Sequence, residues 1–131
     1  MVKILDSGSS TTTRATYGYD QQGQLTSATV GGTRYTYTYD TAGNIQSKKV
    51  GSTTTNYTYG NSAWRDLLTA YNGGSITYSG GNPTKYYDGS TFTWMQGRRL
   101  ATAKVGSTNI SYAYDMAGVR SSKTGGSTTY K

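Results

Sequence analysis

The sequence predicts an all-β protein, an antiparallel meander of repeated β-hairpins, on three observations. Tyrosine and threonine alternate in RYTYTYD, residues 34–40, which places the tyrosines on one face of a strand and the threonines on the other. The chain has no glutamate and is rich in Thr, Tyr, Ser and Gly, whereas helices favour Glu, Ala, Leu and Lys. Tyr17, Tyr37 and Tyr57 recur every 20 residues, which is typical of a repeated supersecondary unit.

Each unit begins with a strand that ends in Tyr-x-Tyr-Asp and enters a turn. At Asp40-Thr-Ala-Gly43 we expect a type I turn, because an Asp side chain accepts a backbone N–H two residues further on. Gly43 supplies the left-handed residue of a G1 bulge and so closes a short hairpin. The predicted structural motif comprises Tyr17, Tyr19, Asp20, Gly23, Tyr37, Tyr39, Asp40, Gly43, Tyr57, Tyr59, Tyr112, Tyr114, Asp115 and Gly118.

The return strand is polar and basic, as in NIQSKKV at 44–50, and it closes at a second turn. That turn, Val-Gly-Gly-Thr or Val-Gly-Ser-Thr, is predicted at 30–33, 50–53 and 105–108. This second turn therefore connects each hairpin to the first strand of the next hairpin. We expect about six units of about 20 residues and roughly a dozen strands.

These units are expected to form a single domain over residues 1–131. The repeats are regular at about 15–60 and 105–124 and degenerate at about 61–104. Within the degenerate part, Asp88-Gly89 is typical of a two-residue hairpin turn. WRDLLTA, at 64–70, is expected to form a single helical turn at most.

Composition limits what this fold can contain. Only 33% of residues are hydrophobic, against about 45–50% in globular domains. The 14 Tyr, 2 Trp and 1 Phe must therefore supply the core, each aromatic burying about 150–250 Å². Without cysteine, disulfides and thiolate metal sites are excluded. No apolar run approaches the roughly 18 residues of a membrane-spanning helix, so no membrane span is expected.

The repeated motif, Tyr-x-Tyr-Asp-x-x-Gly at a spacing near 20, resembles the YD repeat of the Rhs family. The match covers YGYDQQGQL, YTYDTAGNI and YAYDMAGVR, and weaker copies are ITYSGGNPTKY and FTWMQGRRL. Together these segments span most of residues 15–124.

The resemblance implies hairpins that spiral into a hollow shell. Such shells enclose a toxic domain in bacterial polymorphic toxins and insecticidal toxin complexes, and in teneurins they form a cell-surface scaffold. About six repeats are too few to close a shell, and no residue here matches the self-cleaving aspartates of the family's core-ending segment. The resemblance therefore implies a fragment or short relative, which forms a curled strip or an open part of a spiral shell and is secreted or at the cell surface.

The residue types present argue against catalysis. Without His, Cys or Glu, the usual nucleophile–base pairs, zinc sites and glutamate acid/base pairs are excluded. The recurring aspartates have an evident role in turns. We therefore expect a non-enzymatic structural scaffold that uses no cofactor and no metal.

The alternative is a carbohydrate-binding surface module, because sugar rings stack on exposed aromatic side chains. The residues to test for ligand binding are Trp64, Trp94, Arg98 and Arg99. Core packing and a solvated basic turn are the competing interpretations of these residues. The net charge of +7 attracts polyanions in general, but the two arginines of QGRRL form a cluster and not a stripe, so no specific nucleic acid is expected.

The expected partners follow from the meander itself. An open meander has two unpaired edge strands, which invite the addition of further strands. We therefore expect self-association, or pairing with other YD-repeat segments, through open sheet edges. Glycans are the partners expected under the alternative function.

Overall fold

The computed structural model describes residues 2–5 and 13–131, and these residues form 15 β-strands and no helix. Neighbouring strands in a sheet are antiparallel, so the predicted all-β meander is confirmed. The chain divides into two compact units, Met1–Leu68 and Thr69–Lys131. Within the described part of the chain, no helix is long and apolar enough to cross a membrane.

The first unit is a meander of six strands that follow one another in sequence order. These strands are β1 (Val2–Leu5), β2 (Thr13–Tyr19), β3 (Leu25–Val30), β4 (Thr33–Tyr39), β5 (Ile45–Val50) and β6 (Thr53–Thr58). Five-residue loops that begin with Asp join β2 to β3 and β4 to β5, whereas two-residue turns join β3 to β4 and β5 to β6. The two turn types therefore alternate between opposite ends of the sheet.

The second unit contains a short hairpin and a meander of seven strands. The hairpin pairs β7 (Ala70–Tyr71) with β8 (Gly74–Ser75). The meander contains β9 (Thr77–Ser79), β10 (Asn82–Lys85), β11 (Thr91–Met95), β12 (Arg99–Val105), β13 (Thr108–Tyr114), β14 (Arg120–Gly125) and β15 (Thr128–Tyr130). The strands outnumber the expected dozen because several of them, such as β7 and β8, are only two or three residues long.

The two-residue turns depend on glycine at positive φ. Gly31 and Gly32 have φ of 55° and 80°, the pattern of a type I′ turn. Gly51 has φ of 58° whereas Ser52 keeps a negative φ, the pattern of a type II′ turn. Both types match the twist of the strands that they join. The predicted turns at 30–33 and 50–53 are thus confirmed.

Burial distinguishes two faces of each sheet, which we call the tyrosine face and the threonine face after the side chains of β4. In β13 the same alternation appears, with Tyr112 and Tyr114 half-buried and Ser111 and Ala113 exposed. Among the described residues, no aromatic side chain is fully buried. The buried apolar residues are Ala15, Ala28, Ile76 and Ala103, each 5% exposed.

Buried alanines are paired with aromatic residues of the neighbouring strands. Ala28 on β3 pairs with Tyr17 on β2 and with Tyr35 on β4. Ala103 is likewise opposite Phe92 and Ile110. Half-buried rings opposite buried alanines thus take the place of a core of large aliphatic side chains, which the 33% hydrophobic content could not supply.

The segment after β6 contains the single turn expected for it. The N–H of Leu67 donates to the carbonyl of Trp64 at 3.1 Å. The Oδ1 of Asn61 accepts the N–H groups of Ala63 and Trp64, both at 3.0 Å, and so caps the turn. The turn does not continue, and the expectation of at most one helical turn is confirmed.

Candidate functional site

The repeated motif is the candidate site, and Asp40 shows how its turn is built. The N–H of Asp40 donates to the carbonyl of Asn44 at 2.9 Å, and the N–H of Gly43 donates to the carbonyl of Asp40 at 3.1 Å. The Asp40 carboxylate accepts the N–H groups of Ala42 at 2.9 Å and Asn44 at 2.8 Å. With φ of 90° at Gly43, the predicted Asp-x-x-Gly turn is confirmed.

The other two motif aspartates form the same turn. Oδ1 of Asp20 accepts the N–H groups of Gln22 at 3.0 Å and Gln24 at 2.8 Å. Oδ1 of Asp115 accepts the N–H of Val119 at 2.9 Å. The glycine three residues after the aspartate has positive φ in each case, at Gly23, Gly43 and Gly118. In each of the three turns, Oδ1 of the aspartate therefore accepts at least one backbone N–H of its own turn.

The loop 86–90 repeats this backbone without an aspartate at its start. The N–H of Tyr86 donates to the carbonyl of Ser90 at 2.8 Å, and the N–H of Gly89 donates to the carbonyl of Tyr86 at 3.0 Å. Asp88 instead accepts the N–H of Ser90 at 2.9 Å. The predicted two-residue turn at Asp88-Gly89 is wrong, because Gly89 takes the closing left-handed position of a five-residue loop.

Hydrogen bonds lower the pKa of the Asp40 carboxyl below its usual value, chiefly the bond from the side-chain amide of Asn44 and then that from its backbone N–H. The amide Nδ2 of Asn44 lies 3.0 Å from Oδ2 of Asp40. The folded state therefore favours the carboxylate. Because the folded pKa is depressed, this contribution to stability is present above the unfolded pKa of about 3.9 and is lost as pH falls through the folded pKa.

Replacing Asn44 with alanine is expected to raise the pKa of Asp40 towards its usual value, because the largest cause of its depression is removed. Carbon-detected NMR titration of the Asp40 carboxyl measures this change. The control is Thr41→Ala in the same turn, whose side chain makes no hydrogen bond to Asp40. An Asp40 pKa that moves equally in both variants would contradict this assignment.

The last tyrosine of the motif joins one strand to the preceding strand. The Tyr39 hydroxyl donates to the carbonyl of Leu25 at 2.9 Å, and the Tyr114 hydroxyl donates to the carbonyl of Leu100 at 3.0 Å. In both cases the acceptor lies 14 residues earlier, at the start of the return strand. The same bond thus occurs in both compact units, at Tyr39 in the first and at Tyr114 in the second.

Burial, the first cause in each case, raises the pKa of Tyr39, Tyr59 and Tyr78 above the usual tyrosine value. The motif residues Tyr17, Tyr37, Tyr57 and Tyr112 are half-buried, whereas Tyr19 is 50% exposed. The tyrosine rings therefore act mainly as packing surface.

The threonine face carries paired hydroxyl groups. In the second unit, strand register places Thr93, Thr102, Ser111, Thr124 and Thr129 in one row across five strands. The hydroxyls of Thr93 and Thr102 lie 2.6 Å apart, and those of Thr124 and Thr129 lie 2.9 Å apart. Within each of these two pairs the hydroxyls hydrogen-bond to each other, which leaves the tyrosine face as the apolar side of the sheet.

One cleft in the first unit brings two motif aspartates together. It has a volume of about 540 Å³ and lies between the turns of Asp20 and Asp40, with Gln24 and Tyr37 in its lining. Both carboxylates already accept hydrogen bonds from their own turns. Within the described residues, no group of three or more His, Cys, Asp or Glu side chains is arranged to hold a metal ion.

The residues predicted to bind ligand are placed differently from one another. Trp64 is 47% exposed in the first unit. Trp94 is half-buried in the second unit, and its indole N–H donates to the carbonyl of Pro83 at 2.6 Å. Arg98 is exposed, and the Arg99 guanidinium lies 5.8 Å from the centre of the Tyr114 ring. Carbohydrate binding through these residues stays a prediction.

Two features of the structure were not predicted from the sequence. The first is the hairpin of β7 and β8, whose central residues Asn72 and Gly73 have φ of 47° and 84°. The Asn-Gly dipeptide is the signal that could have predicted it. The second is the contact between Tyr71 and Tyr87, whose ring centres lie 4.5 Å apart, beside Gly74. No local sequence pattern predicts that contact.

Comparison with protein-family models finds no matching family, and comparison with curated proteins finds no matching sequence. The interpretation of the repeat therefore rests on the motif and on its geometry.

Proposed function

We propose that the protein is a non-catalytic structural scaffold, a strip of YD-type hairpin repeats. The observation that carries this proposal is the tyrosine-to-carbonyl bond made by Tyr39 and again by Tyr114, with the acceptor 14 residues earlier in both units. A feature that is repeated in the sequence and directed at the chain's own backbone is expected of a structural part.

The occupancy of the motif groups supports the proposal. The carboxylates of Asp20, Asp40 and Asp115 accept N–H groups from their own turns. The hydroxyls of Tyr39 and Tyr114 are used on neighbouring carbonyls. A ligand-binding motif would need at least some of these groups for the ligand, whereas a scaffold uses them internally.

The wider proposal is that the chain is part of a shell of the kind found in Rhs-type and YD-repeat proteins, secreted or at the cell surface. The support is the resemblance of the repeated motif to the YD repeat. At Asp20, Asp40 and Asp115 the motif also forms the same turn, with the same backbone hydrogen bonds. Self-association through sheet edges belongs to the same proposal, and light scattering of the purified chain measures it.

Duplicating one repeat tests the scaffold directly. A second copy of residues 33–52, inserted after Ser52, continues the strand register because Thr33 and Thr53 occupy equivalent positions after their turns. In a repeat scaffold each unit contacts mainly its neighbours, so the extended chain is expected to fold. We expect more β-structure by circular dichroism and a urea midpoint no lower than that of the parent.

The control is an insertion of the same 20 residues with Tyr, Asp and Gly permuted among their positions. This insertion keeps composition and length while it removes the turns and the tyrosine face. It is expected to lower the urea midpoint or to prevent folding. Equal behaviour of the two insertions, or unfolding of the duplicated chain, would argue against a repeat scaffold.

A further inference from the structure

Four aromatic side chains gather in the second unit, where the hairpin of β7 and β8 meets the loop 86–90. The ring centres of Tyr71 and Tyr87 lie 4.5 Å apart, with an angle of 44° between the ring planes. Tyr86 lies 6.2 Å from Tyr87 and packs edge-to-face on Phe92 at 5.3 Å. Ring centres of aromatic pairs are usually about 4.5–7 Å apart, so Tyr71 and Tyr87 form the tightest contact of this cluster.

The backbone on both sides fixes this contact. Strand register pairs Tyr71 with Gly74 across the hairpin. The N–H of Ile76 donates to the carbonyl of Thr69 at 2.8 Å and closes the hairpin at its base. A Cβ on Gly74 would lie 2.6 Å from the carbonyl oxygen of Tyr87, so the loop passes directly against the hairpin. The two rings are therefore held as neighbours, although β8, β9 and β10 separate them in the sequence.

An oxidant can reach one ring of the pair directly. Tyr87 is 47% exposed, whereas Tyr71 is half-buried. A phenoxyl radical takes a hydrogen atom from a neighbouring phenol, so a radical formed on Tyr87 passes to Tyr71 and leaves Tyr87 ready for a second oxidation. The chain has no cysteine, whose thiolate would compete for the oxidant. Access and proximity thus occur together at this pair.

We infer that Tyr71 and Tyr87 form an oxidative cross-link, a carbon–carbon bond between the ring positions next to their hydroxyl groups. The oxidant is hydrogen peroxide acting through a haem peroxidase. It removes one electron and one proton from each phenol, and the two phenoxyl radicals then couple. The hydrogens on the two coupled carbons move to the oxygens and restore both phenols, while the peroxide becomes two molecules of water. The inference does not depend on the proposed scaffold function.

The cross-link supplies a covalent tie that this chain cannot obtain from disulfides, because it has no cysteine. Strands β7 and β8 have only two residues each, and an isolated two-stranded hairpin is marginally stable. A bond from Tyr71 to Tyr87 ties this hairpin to the loop 86–90 and restricts the unfolded chain between them. We expect the second unit to be more stable after oxidation.

The test treats the dilute full chain with hydrogen peroxide and a haem peroxidase and measures its mass. The expected product is a monomer lighter by two hydrogen atoms, with the blue fluorescence of dityrosine. Trypsin cuts after Arg65, Lys85 and Arg98, so the bond joins peptides 66–85 and 86–98, and their fragmentation locates the linked tyrosines. Oxidation of the exposed Met116 adds an oxygen atom and is therefore distinguished by mass.

Tyr71→Phe and Tyr87→Phe each keep the ring and remove one phenol. Each is expected to lower the yield of cross-linked chain by at least about tenfold, because coupling depends on two phenols held together. Tyr19→Phe is the matched control, since Tyr19 is 50% exposed, like Tyr87, but lies in the first unit. It is expected to change the yield by less than about twofold, because it leaves the pair intact. Circular dichroism confirms that each variant is folded.

The stability of the purified product is an independent measurement. Hydrogen exchange in β7 and β8 is expected to be slower, and the urea midpoint higher, than in the untreated chain. An unchanged mass, at an oxidant dose that couples N-acetyltyrosine amide, would overturn the inference. Bonds between chains alone, an equal loss of yield in Tyr19→Phe, or a bond mapped to another pair would do the same. Unchanged exchange in the cross-linked chain would overturn the stabilising role.

Discussion

Replacing Gly74 with alanine is expected to destabilise the second unit by about 1–3 kcal/mol, because the added methyl group would overlap atoms of Tyr87. A Cβ at this position would lie 2.6 Å from the carbonyl oxygen of Tyr87, 2.8 Å from its Cβ and 3.0 Å from its Cα. Two of these are backbone atoms, so rotation of a side chain cannot relieve the contact. The ring of Tyr87 is also held against Tyr71, at 4.5 Å between centres.

Gly125→Ala is the control for this prediction. Gly125 also lies in a strand without positive φ, and a Cβ there would meet only Cγ1 of Ile110, at the ordinary contact distance of 3.9 Å. It is expected to leave stability unchanged or to raise it by about 0.4–1 kcal/mol, since alanine reduces the entropy of the unfolded chain. Urea unfolding in a Trp64→Phe background makes Trp94 the reporter of the second unit. Equal midpoints for the two alanine variants would contradict the close approach of Gly74 to Tyr87.

The second large effect is expected at Tyr39. Tyr39→Ala is expected to destabilise the first unit by about 2–3 kcal/mol, below the 3–5 kcal/mol of a fully buried aromatic because this ring is half-buried. Tyr39→Phe keeps the ring and removes the hydrogen bond to the carbonyl of Leu25, and it is expected to cost about 1 kcal/mol. The two substitutions thus separate packing from hydrogen bonding.

Tyr39→Phe should also change the alkaline pH dependence of stability. Burial raises the pKa of Tyr39, so the folded state favours the neutral phenol. That contribution is present below the unfolded pKa of about 10 and is lost as pH rises through the folded pKa. Urea midpoints measured across this range should therefore fall less steeply for Tyr39→Phe than for the parent.

Thr38→Ala is the matched control for Tyr39. Thr38 is the preceding residue of β4 but lies on the exposed threonine face, where its hydroxyl is 2.7 Å from that of Ser47. The substitution is expected to change stability by no more than about 0.5 kcal/mol. Hydrogen exchange of β4 and β5 locates the effect of each variant. A cost for Thr38→Ala equal to that of Tyr39→Ala would contradict a stabilising tyrosine face.

The features that were predicted correctly from the sequence depend on residues close together in the chain. The turn of Asp40 closes through bonds among residues 40–44, so Asp, Gly and their spacing suffice to specify it. The alternation of tyrosine and threonine likewise predicts the two faces of β4, because side chains alternate along any strand. Gly51 predicts its turn for the same reason, since few other residues adopt positive φ at low cost.

The loop at Asp88-Gly89 shows where local reasoning fails. The dipeptide is compatible with a two-residue turn and with the closing position of a longer loop. Pairing of Lys85 with Thr91 selects the longer loop, because it leaves five residues between the strands. The pairing reflects the fit of whole strands, which the dipeptide does not contain.

The all-β class, the alternating faces and the Asp and Gly turns were thus available from residues close together in the chain. Two features were not: the acceptor of the Tyr39 hydroxyl and the approach of Gly74 to Tyr87. Each joins residues of different strands or loops, so each depends on strand register and on packing between segments. Register follows from the summed fit of several strands, and it therefore becomes known only when the strands are placed together.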